Sequence, residues 1–169
     1  MNKLFSAPTP LTPKHELEAF NSGEATLDDW LRERALSNIK ARASRTYVLC
    51  PKDSQTVIGY YALCMGQISN KETTAAMRRN MPEKIPAVIL ARLAVDQQWQ
   101  GQGLGTALLK DAVNRTQQVA KEIACRLMIV HALSIEAETF YQRYGFVRLP
   151  TVDSTTYALD LLKYAESSR

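Results

Sequence analysis

The chain has 169 residues, 46% of them hydrophobic and 22% charged, with a net charge of +4, which is enough to bury a core and argues for one globular domain over residues 1–169 rather than a disordered or fibrous chain. No run approaches the roughly 18 apolar residues of a membrane helix, and Met1–Pro10, with two prolines, lacks the apolar stretch of a signal peptide, so a cytoplasmic protein is expected. The three cysteines, Cys50, Cys64 and Cys125, are odd in number and lack C-x-x-C spacing; they are expected to be small buried hydrophobes, with no metal site.

Pro8, Pro10 and Pro13 keep the N-terminus extended as far as Lys14, and His15–Phe20 is expected to form a short helix ended by Gly23. Thr26 with Asp29 three residues on looks like an N-cap pair, opening a helix whose apolar stripe is Leu27, Trp30, Leu31 and Ala35. A hairpin follows, from Thr46–Cys50 through the turn Pro51–Gln55 to Val57–Gln67. Residues 68–86 are polar and contain Pro82 and Pro86, the pattern of a helix-containing excursion. Ala87–Val95 is almost continuously apolar and reads as a strand buried on both faces. Helical periodicity begins at Thr106, with Leu108, Ala112, Val119 and Ile123 on one face and Leu109, Val113 and Ala120 beside it. Arg126–Ala132 is another apolar strand. Ser134 then looks like an N-cap, with Glu136 and Glu138 in the first turn of a short helix that carries Phe140, Tyr141 and Tyr144 and stops at Gly145. Phe146 starts the next strand. This order of strands and helices is that of an α/β fold with a mixed sheet.

The stretch from Arg92 to Thr106 (RLAVDQQWQGQGLGT) runs the apolar strand through three glycines into a helix. Glycines remove the Cβ atoms that would hold a ligand away from the backbone, so N–H groups can converge on an anion at the positive helix end. A pyrophosphate suits such a turn. A P-loop would need a glycine–lysine pair, and the chain has none. A dinucleotide fingerprint counted from Gly101 fails at Thr106 and has no strand-borne acid about 20 residues on. The phrase that remains is Gln100-x-x-Gly103-x-Gly105.

That phrase resembles the [Q/R]-x-x-G-x-[G/A] loop of the GNAT N-acetyltransferase family, whose backbone amides hold the diphosphate of acetyl-coenzyme A. A second phrase, Ala137-x-x-Phe140-Tyr141-x-x-x-Gly145-Phe146, is similar to the family's segment beside the thiol end of that cofactor, and it follows at the right distance and in the right order. The resemblance implies a single GNAT-like domain: α/β, with a mixed, mostly antiparallel central sheet flanked by helices. It also implies that Leu93, Ala94 and Val95 line the cofactor strand and that Gln100, Gly101, Gln102, Gly103, Leu104, Gly105 and Thr106 hold the diphosphate. Phe140 and Tyr144 would lie against the cofactor, with Tyr141 as the general acid.

The resemblance narrows on Phe20-x-Ser22-Gly23-Glu24, Leu27-Asp28-x-Trp30-Leu31, Gly59-Tyr60-Tyr61-Ala62-Leu63, Arg78-Arg79-Asn80-Met81-Pro82 and Ile89-Leu90-Ala91-Arg92-Leu93-Ala94-Val95-Asp96. These phrases, spread over residues 14–149, are similar to the acetyltransferase toxins of type II toxin–antitoxin systems, which acetylate the amino group of aminoacyl-tRNA and so block translation. The resemblance therefore implies acetyl-CoA as cofactor, aminoacyl-tRNA as substrate and a ribbon-helix-helix antitoxin as partner. A homodimer is compatible with the sequence, and no membrane partner is expected.

Charge fits a polyanionic partner. Basic residues cluster at Arg32, Arg34, Lys40, Arg42 and Arg45, and again at Lys71, Arg78, Arg79 and Lys84. The toxin resemblance puts tRNA on Arg78 and Arg79, and the charge of the first cluster makes Lys40, Arg42 and Arg45 further expected phosphate contacts. His15 is expected at the surface, and His131 in a structural hydrogen bond rather than in catalysis.

The chemistry can be stated without a family. An amine that attacks a thioester directly needs both reactants oriented, the carbonyl polarised by a backbone N–H near Leu93–Val95, and a proton for the departing thiolate, which Tyr141 can supply. No Asp, Glu or His stands out as a general base. An α-amino group, with a pKa of about 7.7 to 8.0 and lower when its carboxyl is esterified, needs less help than a lysine at about 10.4. The alternative is an N-acetyltransferase for a small amine or a protein N-terminus. A non-catalytic binding module comes third, because Gly103 and Tyr141 are both present.

Overall fold

The computed structural model describes residues 4–149 and 155–167, the side chains of 165–167 excepted. The first three residues of Met1–Pro10 lie outside that range, as do 150–154 and 168–169 in the stretch beyond the toxin resemblance. Seven strands form one mixed sheet in the order β1-β2-β3-β4-β5-β7-β6. Among the described pairings β4 with β5 is parallel and the rest are antiparallel, which is the expected α/β architecture. The chain divides into two compact units, one made of residues up to Cys64 with Ala91–Val113, the other of Met65–Leu90 with the residues from Asn114 on.

In the first unit, β1 (Thr9–Pro10) pairs with β2 (Arg45–Leu49), which pairs in turn with the first half of β3 (Gly59–Ser69). The expected hairpin is present. The expected helix over His15–Phe20 is not: those residues form turns and a bridge. Glu16 N–H donates to the Gln55 carbonyl at 2.8 Å and the Glu16 carbonyl accepts from Val57 N–H at 3.0 Å, so long-range pairing overrides a weak local helical preference.

The helix expected after Thr26 is two helices, α1 (Ala25–Glu33) and α2 (Ala35–Lys40), broken at Arg34. Thr26 is not its cap. The N-cap position is Glu24, with no side-chain cap bond, and the entering loop is held by Asp28, which accepts from Ser22 N–H at 3.0 Å and Ser22 Oγ at 2.7 Å. Leu31 and Ala35 are fully buried as the stripe requires, with Leu27 and Trp30 packed on the same cluster as Phe20, Val48 and Tyr60.

β4 (Lys84–Val95) corrects the reading of a uniformly buried strand. Ile85, Ala87, Val88 and Leu90 are buried, whereas Ala91 is exposed and Arg92, Leu93 and Val95 are half-buried. Helix α4 (Leu104–Glu122) begins two residues earlier than its periodicity suggests. In the first unit Leu104, Leu108, Leu109, Ala112 and Val113 are buried, and the Tyr61 hydroxyl donates to the Asp111 carboxylate, tying the helix to β3. Farther along, Val119 is 38% and Ile123 64% exposed. The apolar stripe runs on in the sequence after the core has ended.

In the second unit, the excursion expected over residues 68–86 is shorter, because β3 runs on to Ser69 and β4 already begins at Lys84 with Pro86 inside it. Between them lie a one-turn 3₁₀ helix (Asn70–Glu72) and the short α3 (Ala75–Arg78), capped by Thr74. β4 pairs with β5 (Leu127–His131) over Ala87–Leu90, β5 with β7 (Thr156–Asp160), and β7 with β6 (Val147–Arg148). Arg126 and Asp160 form a nearly buried ion pair across the β5–β7 junction, Nε to Oδ1 at 2.9 Å and Nη2 to Oδ2 at 3.2 Å. Helix α6 (Leu161–Ser167) follows β7 directly.

Cys50 is buried, and burial pushes its thiol up to about 11. Cys64 and Cys125 are only half-buried, which corrects their reading as core residues, although burial raises both thiols.

Candidate active site

In the first unit the glycine turn has the conformation that its residues foretell. Gly101 and Gly103 both sit at φ +81°, where L side chains are strained. A Cβ built on either would meet no atom within 4 Å, so the glycines serve their backbone angle and the open space above it, not packing. By helix geometry the amides of Leu104 and Gly105 have no carbonyl one turn back inside α4, while Ala107 N–H donates to the Gly103 carbonyl at 3.1 Å. Donors at the positive end of a 19-residue helix beside an open glycine surface form an anion cradle. That donor set fits a diphosphate.

The cradle is braced from below. Gln100 Nε2 donates to the Val95 carbonyl at 2.9 Å and to the Ser22 carbonyl at 3.2 Å, so this side chain fastens the loop to the end of β4. Ahead of it, Gln97–Trp99 forms a 3₁₀ turn that the sequence reading missed. Asp96 organises it, accepting from Gln98 N–H at 2.9 Å through Oδ1 and from Asn21 N–H at 3.0 Å through Oδ2. An Asp followed by polar residues just after a strand is a turn signal that could have revealed it. Gln102 is exposed, and Leu93, Val95 and Thr106 are half-buried, while Ala94 and Leu104 face the core. Arg92 lies over Trp30, with its guanidinium carbon 4.8 Å from the ring centroid.

In the second unit, Ser134 caps α5 (Ile135–Arg143) by accepting from Ala137 N–H at 3.1 Å, as expected. The helix ends in a full Schellman arrangement: Gly145 at φ +93° with N–H to the Gln142 carbonyl, and Phe146 N–H to the Tyr141 carbonyl, both at 3.1 Å. Between cap and stop, Tyr141 is 6% exposed and packs edge-on against Phe140 at 5.2 Å and Phe146 at 5.3 Å. Burial raises its phenol above the ordinary tyrosine value, so the group keeps its proton at neutral pH. No protein group pairs with that hydroxyl among the described residues. Helix α5 is held on β7 through Tyr157, whose hydroxyl donates to Glu138 at 3.1 Å and accepts from Gln142 at 3.4 Å. Half-buried Phe140 and Tyr144 stack edge-on at 5.2 Å. His131 is exposed and bonded through Nδ1 to Thr156 Oγ1 at 3.0 Å, the structural role expected of it.

The cationic residues divide between the units. Lys40, Arg42 and Arg45 are exposed in the first, at the end of α2 and the start of β2, and Arg78 and Arg79 are exposed in the second, at the end of α3. Arg32 does not belong with them. Its guanidinium donates to the Phe20 carbonyl at 2.8 Å and pairs with Asp29 at 3.2 Å, a local structural task.

The mixed sheet flanked by helices is that of an acyl-group transferase, and the chain belongs to the GNAT acetyltransferase family, whose acetyltransferase (GNAT) domain model matches residues 43–148. Among curated proteins it is similar to a tRNA-acetylating toxin of Mycobacterium tuberculosis (strain ATCC 25618 / H37Rv), with 44% identity over 147 residues covering 87% of each chain. Among solved structures it is similar to the toxin AtaT complexed with acetyl-methionyl-tRNAfMet, with a TM-score of 0.91 and 26% identity over 98% of this chain and 99% of that one. It is also similar to a tyrosine-to-phenylalanine variant of AtaT bound to the C-terminus of the antitoxin AtaR and acetyl-CoA, with a TM-score of 0.82 and 27% identity over 97% of this chain and 98% of that one.

Proposed function

We propose that this protein is the toxin of a type II toxin–antitoxin pair and transfers the acetyl group of acetyl-CoA to the α-amino group of aminoacyl-tRNA. Similarity over most of the chain to a tRNA-acetylating toxin carries the reading, and a single N-acetyltransferase domain over residues 1–169 is part of it. No helix among the described residues is long and apolar enough to cross a membrane, in keeping with work in the cytoplasm on charged tRNA. A ribbon-helix-helix antitoxin as partner, and self-association, belong to the same proposal.

The residues present suit the cofactor. The amides of Gln102 to Gly105 and the bare surface of Gly101 and Gly103 take the diphosphate, while Gln100 holds that loop to the strand end. Backbone N–H groups along Leu93–Val95 orient and polarise the acyl carbonyl. Acetyl-coenzyme A, when bound, supplies an activated acetyl thioester. Tyr141 holds a proton at its hydroxyl and would give it to the sulfur as the carbon–nitrogen bond forms and the carbon–sulfur bond breaks, while the attacking amine loses one proton to solvent and solvent returns one to Tyr141. The absence of a dedicated base suits an esterified α-amine, part of which is already neutral at pH 7.

The test is transfer from labelled acetyl-CoA to charged tRNA, set beside uncharged tRNA, free amino acids and polyamines. Label is expected on charged tRNA alone. Strong transfer to polyamines with none to charged tRNA would establish a small-amine acetyltransferase instead.

A further inference from the structure

In the second unit a pocket of about 470 Å³ opens where the end of α5, the start of α6 and one wall of α3 meet. Its volume lies in the range of sites that hold one small ligand. Met77, Val147 and Leu159 give it apolar surface, Tyr144 and Tyr164 give it rings, and Arg143 and Lys163 give it charge. Asp160 also lines it, but that carboxylate is taken by Arg126 at 2.9 and 3.2 Å. Thr74, at the α3 wall, is likewise spent on capping Met77 N–H at 3.3 Å. Arg143 and Lys163 pair with no acid among the described residues. The helix that supplies Thr74 and Met77 carries Arg78 next, followed by Arg79, and neither of these has an acidic partner among the described residues.

A ligand for this surface needs a flat apolar body and a negative charge at once. An acidic peptide would satisfy the cations and leave the rings and the methionine surface unused. A nucleotide of single-stranded RNA uses both, its base on a tyrosine face and its phosphate on the guanidinium or ammonium group. We infer that this pocket holds a nucleotide of the acceptor RNA, with Tyr164 as stacking surface and Arg143 and Lys163 as phosphate ligands. The inference rests on the proposed function in taking the acceptor to be an RNA.

Two measurements test it. In the first, a labelled single-stranded RNA with the sequence of a tRNA 3′ end is titrated onto the full chain at several salt concentrations. The pair Arg143→Glu, Lys163→Glu is expected to weaken binding and to flatten the log–log salt dependence by about 0.7 for each phosphate no longer neutralised. Tyr164→Ala should weaken it roughly 5- to 150-fold, the loss of one stacked base, while Tyr164→Phe keeps the ring and the affinity. Acetyl-CoA affinity, followed by calorimetry, stays at the parent value in all of these and verifies folding. Unchanged RNA affinity in both the charge pair and Tyr164→Ala would overturn the inference, as would equal displacement of the RNA by an acidic peptide of the same charge. In the second, the same variants are assayed for transfer to charged tRNA, where a raised KM with kcat retained is expected. A parent that binds RNA through this pocket yet acetylates no charged tRNA sinks the proposed function and leaves the pocket standing. A parent that acetylates charged tRNA with the same KM as its variants sinks the pocket alone.

Discussion

As the proposed proton donor, Tyr141 faces two demands that usually conflict. A proton donor must keep its proton until the leaving group needs it, and it must have no stronger partner in the resting protein. Burial between Phe140 and Phe146 raises the phenol above its ordinary value, and no protein acceptor among the described residues holds the hydroxyl. Tyr141→Phe removes only that oxygen, so acetyl transfer in single turnovers should fall by about 10² to 10⁴ with acetyl-CoA affinity retained. Transfer at the parental rate would reduce Tyr141 to packing. The direction of the shift also fixes the pH profile. An acid raised above about pH 10 stays protonated throughout the physiological range, so activity should climb as the acceptor amine loses its proton and then level off as far as about pH 9. A descending limb below that point, seen in the parent and absent from Tyr141→Phe, would contradict the buried, protonated phenol.

The loop and the helix that it opens act as one element, because Gln100 fixes one end and the first turn of α4 the other. At φ +81° a side chain on Gly103 is strained and also projects into the open cradle. Gly103→Val should therefore abolish acetyl-CoA binding by calorimetry while the thermal transition falls only by what a left-handed non-glycine residue costs, about 1 to 3 kcal/mol. Unchanged cofactor affinity in the folded variant would remove the loop from the site. Where β5 and β7 join, Arg126 and Asp160 are 15% and 6% exposed. Arg126→Ala leaves the carboxylate buried without its cation, a change that costs about 3 to 5 kcal/mol and should appear as a lower urea midpoint at constant slope. These elements differ in how far the sequence revealed them. The glycine loop and the Ser134-to-Gly145 helix were legible because cap, stop and special backbone angles are written within a few residues of where they act. Arg126 and Asp160 stand 34 residues apart in the chain, and nothing local marks them as partners.

At the scale of the whole molecule, the same division between local and distant causes explains the remaining differences. The apolar stripe of α4 continues to Val119 and Ile123 in the sequence, but burial depends on what the rest of the chain brings alongside, and both are exposed. Likewise His15–Phe20 has helical spacing, yet the backbone of Glu16 is committed to Gln55 and Val57. Charge is the reverse case, since composition alone reports an excess of +4 and only the structure separates engaged cations from available ones. Arg32 is engaged, whereas Arg78 and Arg79 are exposed and have no acidic partner among the described residues. If those two grip the tRNA backbone, the change Arg78→Glu, Arg79→Glu should raise the KM for charged tRNA by roughly tenfold or more and lower the log–log salt slope by about 1.4 to 1.8, the value for two phosphates released. Acetyl-CoA affinity should stay constant, and growth inhibition in cells that express the protein should be relieved. Reversal at Arg32, by contrast, should lower stability and leave the salt slope where it was. Equal slopes for the parent and the Arg78, Arg79 variant would show that these arginines only solvate the end of α3 and that the tRNA backbone is held elsewhere.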